Sequence, residues 1–440
     1  MDRLTLLLLL LLAPVGAEAQ PVRAWAPADT LYADYQDRFA YVPADISPGA
    51  LRNDAKQSGR ATFDVEYIGF PPDARAAFQF AVDIWSAHLI SPSNVPIRVR
   101  ATWEPQSNDD VLGATNPRVI ANFEIATVAE RDVWYAVALA NALAGRDLDP
   151  DEPHIRTSFN STFSNWYFGT DGQPPSGQFD LVTIVLHELG HGLGFVGSML
   201  VDDGVGSWGI GDVGFPVIYD RFAERGTTDL LDGFPNPSQA LGDALTSDEV
   251  FFDGPAANLA QGGSRPRLHA PPTWVDGSSY SHLSERPVNG VEPYPPGSLN
   301  ALMTPTVNSA EAVHDPGPIT CGMFKDMGWS LADACSTQVP DPPPMPGDEA
   351  LSVDYRLFTN PIGPDFGAAT LRITANRSQP VDVLLFDALG RRVATLFQNT
   401  IGEGNERSIV LDGRGLASGV YFVWIKSPDF FETRPVTVFR

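Results

Sequence analysis

Two residue types are scarce in this chain of 440 residues: cysteine occurs twice, and lysine occurs only as Lys56, Lys325 and Lys426. Lysine and arginine together number 29 against 54 aspartates and glutamates, which gives a formal net charge of −25. A chain with this charge repels the phosphates of nucleic acids and of anionic membrane surfaces. We therefore expect no nucleic-acid partner.

Long apolar runs are also lacking. The most apolar stretch, Leu6 to Leu12, is much shorter than the roughly 18 residues that a membrane-spanning helix needs. Arg3 precedes it and a small-x-small motif at residues 17–19 follows it, which is the pattern of a secretory signal peptide. We predict a signal peptide over residues 1–19, export through the periplasm, and a mature chain without a transmembrane span, secreted or held at the cell surface.

The predicted export bears on the state of the two cysteines. Exported proteins meet oxidising conditions, in which an even number of cysteines commonly pairs. We predict one disulfide between Cys321 and Cys335, which closes a short loop. A free reactive thiol is the alternative.

A proline-rich stretch divides the chain. Residues 339–347 read VPDPPPMPG, and this density of proline predicts an extended linker, which we place at residues 339–348. After it, residues 349–440 contain short alternating runs separated by glycine and asparagine turns, the pattern of an antiparallel β-sandwich. Before it, residues 61–338 form the larger domain, and residues 20–60 are an N-terminal segment or a short propeptide.

The larger domain mixes strands with helices. Phe63–Ile68 and Ile97–Trp103 alternate as strands, and Asp73–Leu89 between them has apolar residues at helical spacing. A second apolar stretch, Val133–Leu143, also predicts a helix. The predicted fold class is therefore α+β, with a small all-β sandwich at the C-terminal end.

An acidic loop, Arg146–Glu152, follows the second predicted helix. Its carboxylates resemble those of a calcium-binding loop, but Pro150 stands where such a loop needs flexibility, and the required glycine is missing. We favour a solvated turn. A Ca²⁺ site is the alternative.

One predicted helix carries a metal motif. Residues 180–195 read DLVTIVLHELGHGLGF, an apolar segment that Asp180 is placed to cap. His187 and His191 are four residues apart, so their imidazoles project from one face of the helix and can bind one metal ion. Glu188 is rotated by about 100° from His187, so it lies beside the metal, where it can hydrogen-bond a water. We predict Zn²⁺ as the cofactor.

The sequence HELGHGLG at residues 187–194 resembles the motif of the metzincin zinc metallopeptidases. Gly194 is expected to adopt the positive φ that ends the helix and turns the chain below the metal. In the family motif a third histidine follows, but this chain has Gly197 at that position. Because catalytic zinc typically takes three protein ligands, we expect another histidine to complete the site.

Leishmanolysin-like metzincins place an insertion before the third histidine and a methionine turn after it. The segments SHLSE at 281–285 and ALMTP at 301–305 resemble that arrangement. The resemblance implies that His282 is the third ligand and that Met303 packs under the metal site. The alternatives are His269, and Glu224 if the enzyme is thermolysin-like. We expect His314, which follows the methionine turn, at the surface.

The same resemblance implies an activity. It predicts a secreted zinc metalloendopeptidase that hydrolyses protein or peptide substrates, with a zinc-activated water and Glu188 as the general base. No cysteine precedes Cys321, so a thiolate from residues 20–60 cannot hold the zinc latent. The alternative from another class is a surface adhesin whose metal only stabilises the fold. Such a structural zinc would have a fourth protein ligand.

The C-terminal domain resembles the type A sorting domains of the type IX secretion system. The resemblance rests on Asn360-Pro361, on VLLFDALGRRV at residues 383–393, on LASGVYFVW at residues 416–424 and on the last residues. It implies that the type IX secretion machinery is a partner and that the domain directs export. A generic β-sandwich that binds carbohydrate or protein is the alternative.

Overall fold

A computed structural model describes residues 21–44, 59–92, 95–106, 108–123, 132–332, 334–335, 351–354, 362, 368–375, 378–387, 392–402, 404–427 and 430–438. The chain divides into two compact units, residues 1–340 and 341–440. The boundary between them falls within the linker predicted at residues 339–348. That linker and the signal peptide predicted at residues 1–19 lie outside the described residues.

Eight of the described strands of the first unit form one mixed sheet: β1 (Val22–Trp25), β2 (Asp29–Val42), β3 (Phe63–Ile68), β5 (Ile97–Glu104), β6 (Val111–Ala121), β7 (Tyr135–Ala136), β8 (Ile155–Asn160) and β16 (Thr306–Val313). The main path runs β16-β2-β6-β8-β5-β3, and β1 and β7 also pair with β6. Strands β3, β5 and β8 are parallel, whereas β6 runs antiparallel to its neighbours β8 and β2. Strand β2 therefore lies between β6 and β16.

Shorter strands pair outside this sheet: β4 (Leu89–Ile90) with β17 (Ser330–Leu331), β9 (Trp166–Tyr167) with β10 (Phe179–Asp180), β11 (Leu200–Asp202) with β12 (Val205–Ser207), and β13 (Ala223–Arg225) with both β14 (Thr228–Asp229) and β15 (Val250–Phe252). The helices are α1 (Pro72–His88), α2 (Val137–Ala144), α3 (Leu181–Gly192), α4 (Gln239–Leu245), α5 (Pro255–Ala260) and α6 (Gly317–Met327), with a 3₁₀ turn at Ile218–Phe222. The fold is α+β, as predicted. Of the helices within the described ranges, none has the length and apolar character that crossing a bilayer requires.

Most predicted elements of the first unit are present. The strand at Phe63–Ile68 is confirmed, and β5 extends one residue beyond the predicted strand. Helix α1 starts one residue early because Pro72 occupies its first turn, where the fixed φ of proline fits a helix. The helix predicted at Val133–Leu143 is wrong at its start, since Tyr135 and Ala136 pair with β6 and α2 begins only at Val137. Hydrogen bonding to a neighbouring strand overrides the local helical pattern there.

The interpretation of Arg146–Glu152 as a solvated turn is correct only in part, since the chain turns at residues 150–151 and Arg146, Pro150 and Asp151 are exposed, but other residues of the loop are not. Asp149 is buried, and its carboxylate lies 2.8 Å from the Arg118 guanidinium. Asp147 pairs with Arg98 at 3.3 Å. The loop is therefore tied to two arginines of the sheet, which satisfy the carboxylates that a calcium ion would need.

Helix α3 is the central helix of the first unit. Its residues are buried on every side, as expected for a helix that lies inside a core. It packs against α1, where the Trp85 indole donates a hydrogen bond to the Leu186 carbonyl (2.9 Å). The last helix, α6, ends at Gly328 with φ 114°. The predicted disulfide between Cys321 and Cys335 then joins this helix to the segment that follows it.

The second unit consists of two antiparallel sheets over one apolar core. One sheet contains β18 (Leu351–Asp354), β19 (Ala368–Ala375) and β22 (Glu406–Asp412), and the other contains β20 (Gln379–Asp387), β21 (Arg392–Ile401), β23 (Gly419–Ser427) and β24 (Phe430–Val438). Leu371 and Ile373 from the first sheet share the core with Val383 and Val423 from the second. Two sheets closed over a common core form the small β-sandwich that the alternating runs predict.

Candidate metal centre

The helix that carries the metal motif is fixed at its first turn. The Asp180 carboxylate accepts hydrogen bonds from the Thr183 amide (2.8 Å) and from the Thr183 hydroxyl (2.7 Å), as predicted for an N-cap. His314 Nε2 also lies 2.8 Å from the same carboxylate oxygen. The prediction that His314 lies at the surface is therefore wrong. This histidine is fully buried, because it supports the start of the helix.

The end of the helix fixes the second histidine. Gly194 has φ 122°, as expected for the residue that turns the chain. The turn brings the Phe195 amide to the Gly190 carbonyl (3.1 Å) and places the Phe195 carbonyl 2.7 Å from His191 Nδ1. A residue with a side chain would be strained at this φ.

Three imidazoles meet at one point. The Nε2 atoms of His187 and His191 are 2.9 Å apart, and His282 Nε2 lies 3.2 Å from each of them. Two nitrogens bound to one tetrahedral zinc at about 2.05 Å would be separated by roughly 3.3 Å. The three histidines therefore fit a single metal ion, and within the described ranges they are the group that brings three candidate ligand atoms this close together.

Backbone carbonyls set the protonation of each ring. His187 Nδ1 donates to the Leu302 carbonyl (2.6 Å), His191 Nδ1 to that of Phe195 (2.7 Å) and His282 Nδ1 to that of Ser278 (2.7 Å). With the protons on Nδ1, the three Nε2 atoms present lone pairs to one another, and this contact is repulsive unless a cation lies between them. Burial also lowers the pKa of all three histidines, that of His187 to about 4, so the rings are neutral ligands at pH 7.

His282 depends on a network that the sequence reasoning missed. The Tyr280 hydroxyl donates to Asp220 Oδ1 (2.9 Å), and Tyr280 itself has φ 77°. Asp220 is fully buried and also accepts hydrogen bonds from the Ser198 amide (3.0 Å) and the Val217 amide (2.8 Å). The carboxylate thus ties the segment after α3 to the segment that carries the third histidine. No local signal marks this pair, because 60 residues separate its members.

The turn that contains Met303 lies against α3. Met303 is fully buried, and a Cβ added at Gly190 would lie 2.8 Å from its sulfur. The absence of a side chain at Gly190 therefore makes room for Met303. The preceding carbonyl, of Leu302, accepts the hydrogen bond from His187, and the Met303 carbonyl accepts one from the Leu283 amide (2.7 Å). One turn thus contacts both the helix and the segment of the third ligand.

Glu188 is buried beside the three histidines. Burial raises its pKa to about 8, while the nearby Thr115 hydroxyl and Leu31 amide lower it in part. Neither carboxylate oxygen has a hydrogen-bond partner among the described residues, since the Thr115 hydroxyl donates to Thr157 instead (2.8 Å). Gly113 on β6 makes this position possible, because a Cβ there would approach Oε1 to 2.9 Å.

The other candidate ligands lie elsewhere. Glu224 is on β13, and its carboxylate lies 2.6 Å from the Arg265 guanidinium. The His269 amide donates to the His282 carbonyl (2.8 Å), but the His269 ring is not one of the converging ligand atoms. Neither belongs to the group of three converging ligand atoms. The geometry therefore gives no support to a thermolysin-like site.

A family model described as SPBPB7E8-like matches residues 149–205, a range that includes His187 and His191 but not His282. No curated protein matches the chain. Among solved structures, that of the periplasmic chaperone SfaE aligns with 20% of this chain and 55% of its own length, at 12% identity and a TM-score of 0.17. A TM-score this low does not indicate a shared fold.

Proposed function

We propose that the first unit is a zinc-dependent endopeptidase of the metzincin type, which hydrolyses peptide bonds in protein or peptide substrates. The observation that carries the proposal is the convergence of three neutral imidazoles, from His187, His191 and His282, with the Glu188 carboxylate beside them. Three nitrogen ligands suit zinc and leave its fourth position for water or substrate, as in catalytic sites. The resemblance to leishmanolysin-like metzincins supports the same assignment.

When bound, zinc supplies Lewis-acid chemistry that polarises a peptide carbonyl and makes water a nucleophile near neutral pH. The protein's own residues position this chemistry and move the proton. The carbonyls of Leu302, Phe195 and Ser278 orient the three imidazoles. Glu188 accepts a proton from the attacking water at its carboxylate and returns it to the leaving amine, a role that suits a carboxyl group whose pKa burial raises towards neutrality.

A second candidate is a non-catalytic adhesin with a structural metal. The observation that favours it is burial, since the exposed fraction of His187 is 1% and that of Glu188, His191 and His282 is 0%. A structural zinc site, however, is closed by four protein ligands. The described residues offer three, and a glutamate without hydrogen bonds in addition.

We also propose that the protein is exported and that its second unit is a sorting domain for the type IX secretion machinery. The support comes from the signal-peptide pattern at residues 1–19 and from the sequence segments of residues 383–393 and 416–424. The disulfide between Cys321 and Cys335 is consistent with an oxidising compartment. Deletion of residues 341–440 in a host with this machinery should leave the protein in the periplasm.

The test of the proposed activity combines metal content with proteolysis. The purified protein should contain about one zinc per chain and should cleave an unfolded protein substrate. Glu188→Ala should keep the zinc and lose at least about 100-fold in turnover, because the base is not a ligand. Glu224→Ala is the matched control and should retain both. A Glu188→Ala variant with wild-type turnover would refute the mechanism.

A further inference from the structure

One carboxylate joins the segment of the third ligand to the start of β16. Glu285 follows His282 by three residues, and its Oε1 accepts a hydrogen bond from the Thr306 amide (2.9 Å). The Thr306 hydroxyl also lies 2.9 Å from Oε1 and 3.0 Å from Oε2. Residues 286–305 therefore form a loop whose two ends meet at a single side chain, close in sequence to both His282 and Met303.

The same two segments are joined a second time, closer to the metal centre. The Leu283 amide donates to the Met303 carbonyl (2.7 Å). Residues 282–285 are thus bound to residues 303–306 at two successive points. Loss of the outer point would leave one backbone hydrogen bond to hold His282 against the methionine turn.

The Glu285 side chain faces a small polar cavity. The Glu311 carboxylate lines the same cavity, and it accepts hydrogen bonds from the Asn308 amide (3.2 Å) and the Gly297 amide (3.2 Å). The other titratable or charged residues that line this cavity are Asp34, Arg38, Glu292 and Tyr294. Glu285 is therefore held on the side of Thr306 by hydrogen bonds and meets a second carboxylate on the side of the cavity.

The electrostatic environment of Glu285 shows that its place is costly. Burial raises the pKa of Glu285 to about 7, and the Glu311 carboxylate raises it further, whereas the hydrogen bonds from Thr306 and Thr304 lower it in part. An apolar side chain in this position would avoid the free energy that is needed to bury a carboxyl group. The two acceptor oxygens, rather than the volume of the side chain, are therefore what this position uses.

We infer that Glu285 is a positioning residue for the third metal ligand, because its carboxylate holds residues 282–285 against the turn of Met303 and so places His282 Nε2 beside the two histidines of α3. This inference rests on the proposed function, since it assumes that His282 binds zinc. Groups that orient metal ligands typically change metal affinity by about 10- to 100-fold when they are removed. Glu285 acts through the backbone, so we expect the lower end of this range.

The test measures the zinc affinity of the full chain by competition with a fluorescent chelator. Glu285→Ala removes both acceptor oxygens and should weaken zinc binding about tenfold. Glu285→Gln keeps one acceptor oxygen for the Thr306 amide and should restore the affinity to within about threefold of wild type. Glu292→Ala removes an exposed carboxylate from the same cavity, and this matched control should bind zinc as wild type does. An unchanged affinity in Glu285→Ala would overturn the inference.

A double-mutant cycle separates positioning from a general loss of stability. If Glu285 acts through His282, Glu285→Ala should not weaken zinc binding further in a chain that already carries His282→Ala. A second loss of about tenfold in that background would show that Glu285 acts independently of the third ligand, and it would refute the inference.

A milder variant covers the case in which Glu285→Ala does not fold. Thr306→Val removes the hydroxyl and keeps the amide, so zinc binding should weaken severalfold in the wild-type background and not at all in the His282→Ala background. Equal zinc affinity in Thr306→Val and wild type would contradict the inference.

These measurements also separate the inference from the proposed activity. A chain whose zinc affinity depends on Glu285 as expected, but which hydrolyses no unfolded substrate, would support the positioning role and refute the peptidase. A chain that hydrolyses the substrate, and whose zinc affinity is the same in Glu285→Ala, would support the peptidase and refute the positioning role.

Discussion

The metal centre combines two regions that are built in different ways. On α3, His187 and His191 are four residues apart, so the helix places both rings on one face, with their Nε2 atoms 2.9 Å apart. His282 follows a loop, residues 278–281, and its position depends on the methionine turn, on the backbone of His269 and on Asp220. The comparison teaches that a helix defines ligand geometry locally, whereas a loop obtains it from distant segments. We therefore expect substitutions in the two regions to have different effects on metal binding and on stability.

The largest effect should come from removing the ligand of the loop. His282→Ala leaves two ligands on the helix and should weaken zinc binding by more than about 100-fold, beyond the range expected for supporting residues. His269→Ala is the matched control, because the His269 ring is not one of the three converging ligand atoms, and it should leave zinc affinity within about threefold. Competition with a fluorescent chelator measures both. Comparable losses in the two variants would show that His282 is not a ligand.

The next effect concerns the end of the helix. Gly194→Ala places a side chain at φ 122° and should lower the free energy of unfolding by about 2 kcal/mol. It should also weaken zinc binding, because the Phe195 carbonyl that orients His191 moves. Gly204→Ala, at φ 76° with open space around it, is the control for backbone strain alone. Chemical denaturation and zinc titration together separate the effects, and a zinc affinity lowered equally by both variants would contradict the assignment.

A smaller effect should come from the support of the loop. Tyr280→Phe removes one hydrogen bond to a buried carboxylate and should cost about 1 to 2 kcal/mol. Zinc affinity should fall severalfold while the helix ligands remain in place. Tyr35→Phe, which loses an exposed hydrogen bond to Asp110, should change neither. An unchanged zinc affinity in the Tyr280→Phe variant would mean that Asp220 does not position the third ligand.

The smallest effect is a pH dependence that originates on the helix. The pKa of Glu188 is about 8 in the folded chain and about 4.5 when unfolded, so folding favours its neutral form. This contribution to stability is complete below the unfolded pKa and is lost as the pH rises through 8. Between pH 7 and 8 the metal-free protein should lose about 1 kcal/mol from this group. Denaturation of the wild type and of Glu188→Gln at both pH values isolates the contribution of Glu188. An equal change in the free energy of unfolding between pH 7 and 8 in both proteins would argue against this contribution.

Local sequence patterns predicted the helical part of the centre correctly. The Asp180 cap, the spacing of His187 and His191, and the positive φ of Gly194 all depend on residues within one short segment. The position of His282 was predicted through a family resemblance, since nothing local distinguishes it from the alternatives. The helix predicted from Val133 began too early because its first residues pair with a distant strand.

The amino-acid sequence by itself determined the elements whose interactions are local: helix α3 with His187, Glu188 and His191, the paired cysteines, and the alternating strands of the second unit. Only the tertiary structure decided which groups meet across long sequence distances. It buried His314 against Asp180 and placed Gly113 beneath Glu188. It also placed the Asp29 carboxylate next to His191. These contacts join segments more than 70 residues apart, and their energies depend on burial and hydrogen bonding that no local pattern encodes.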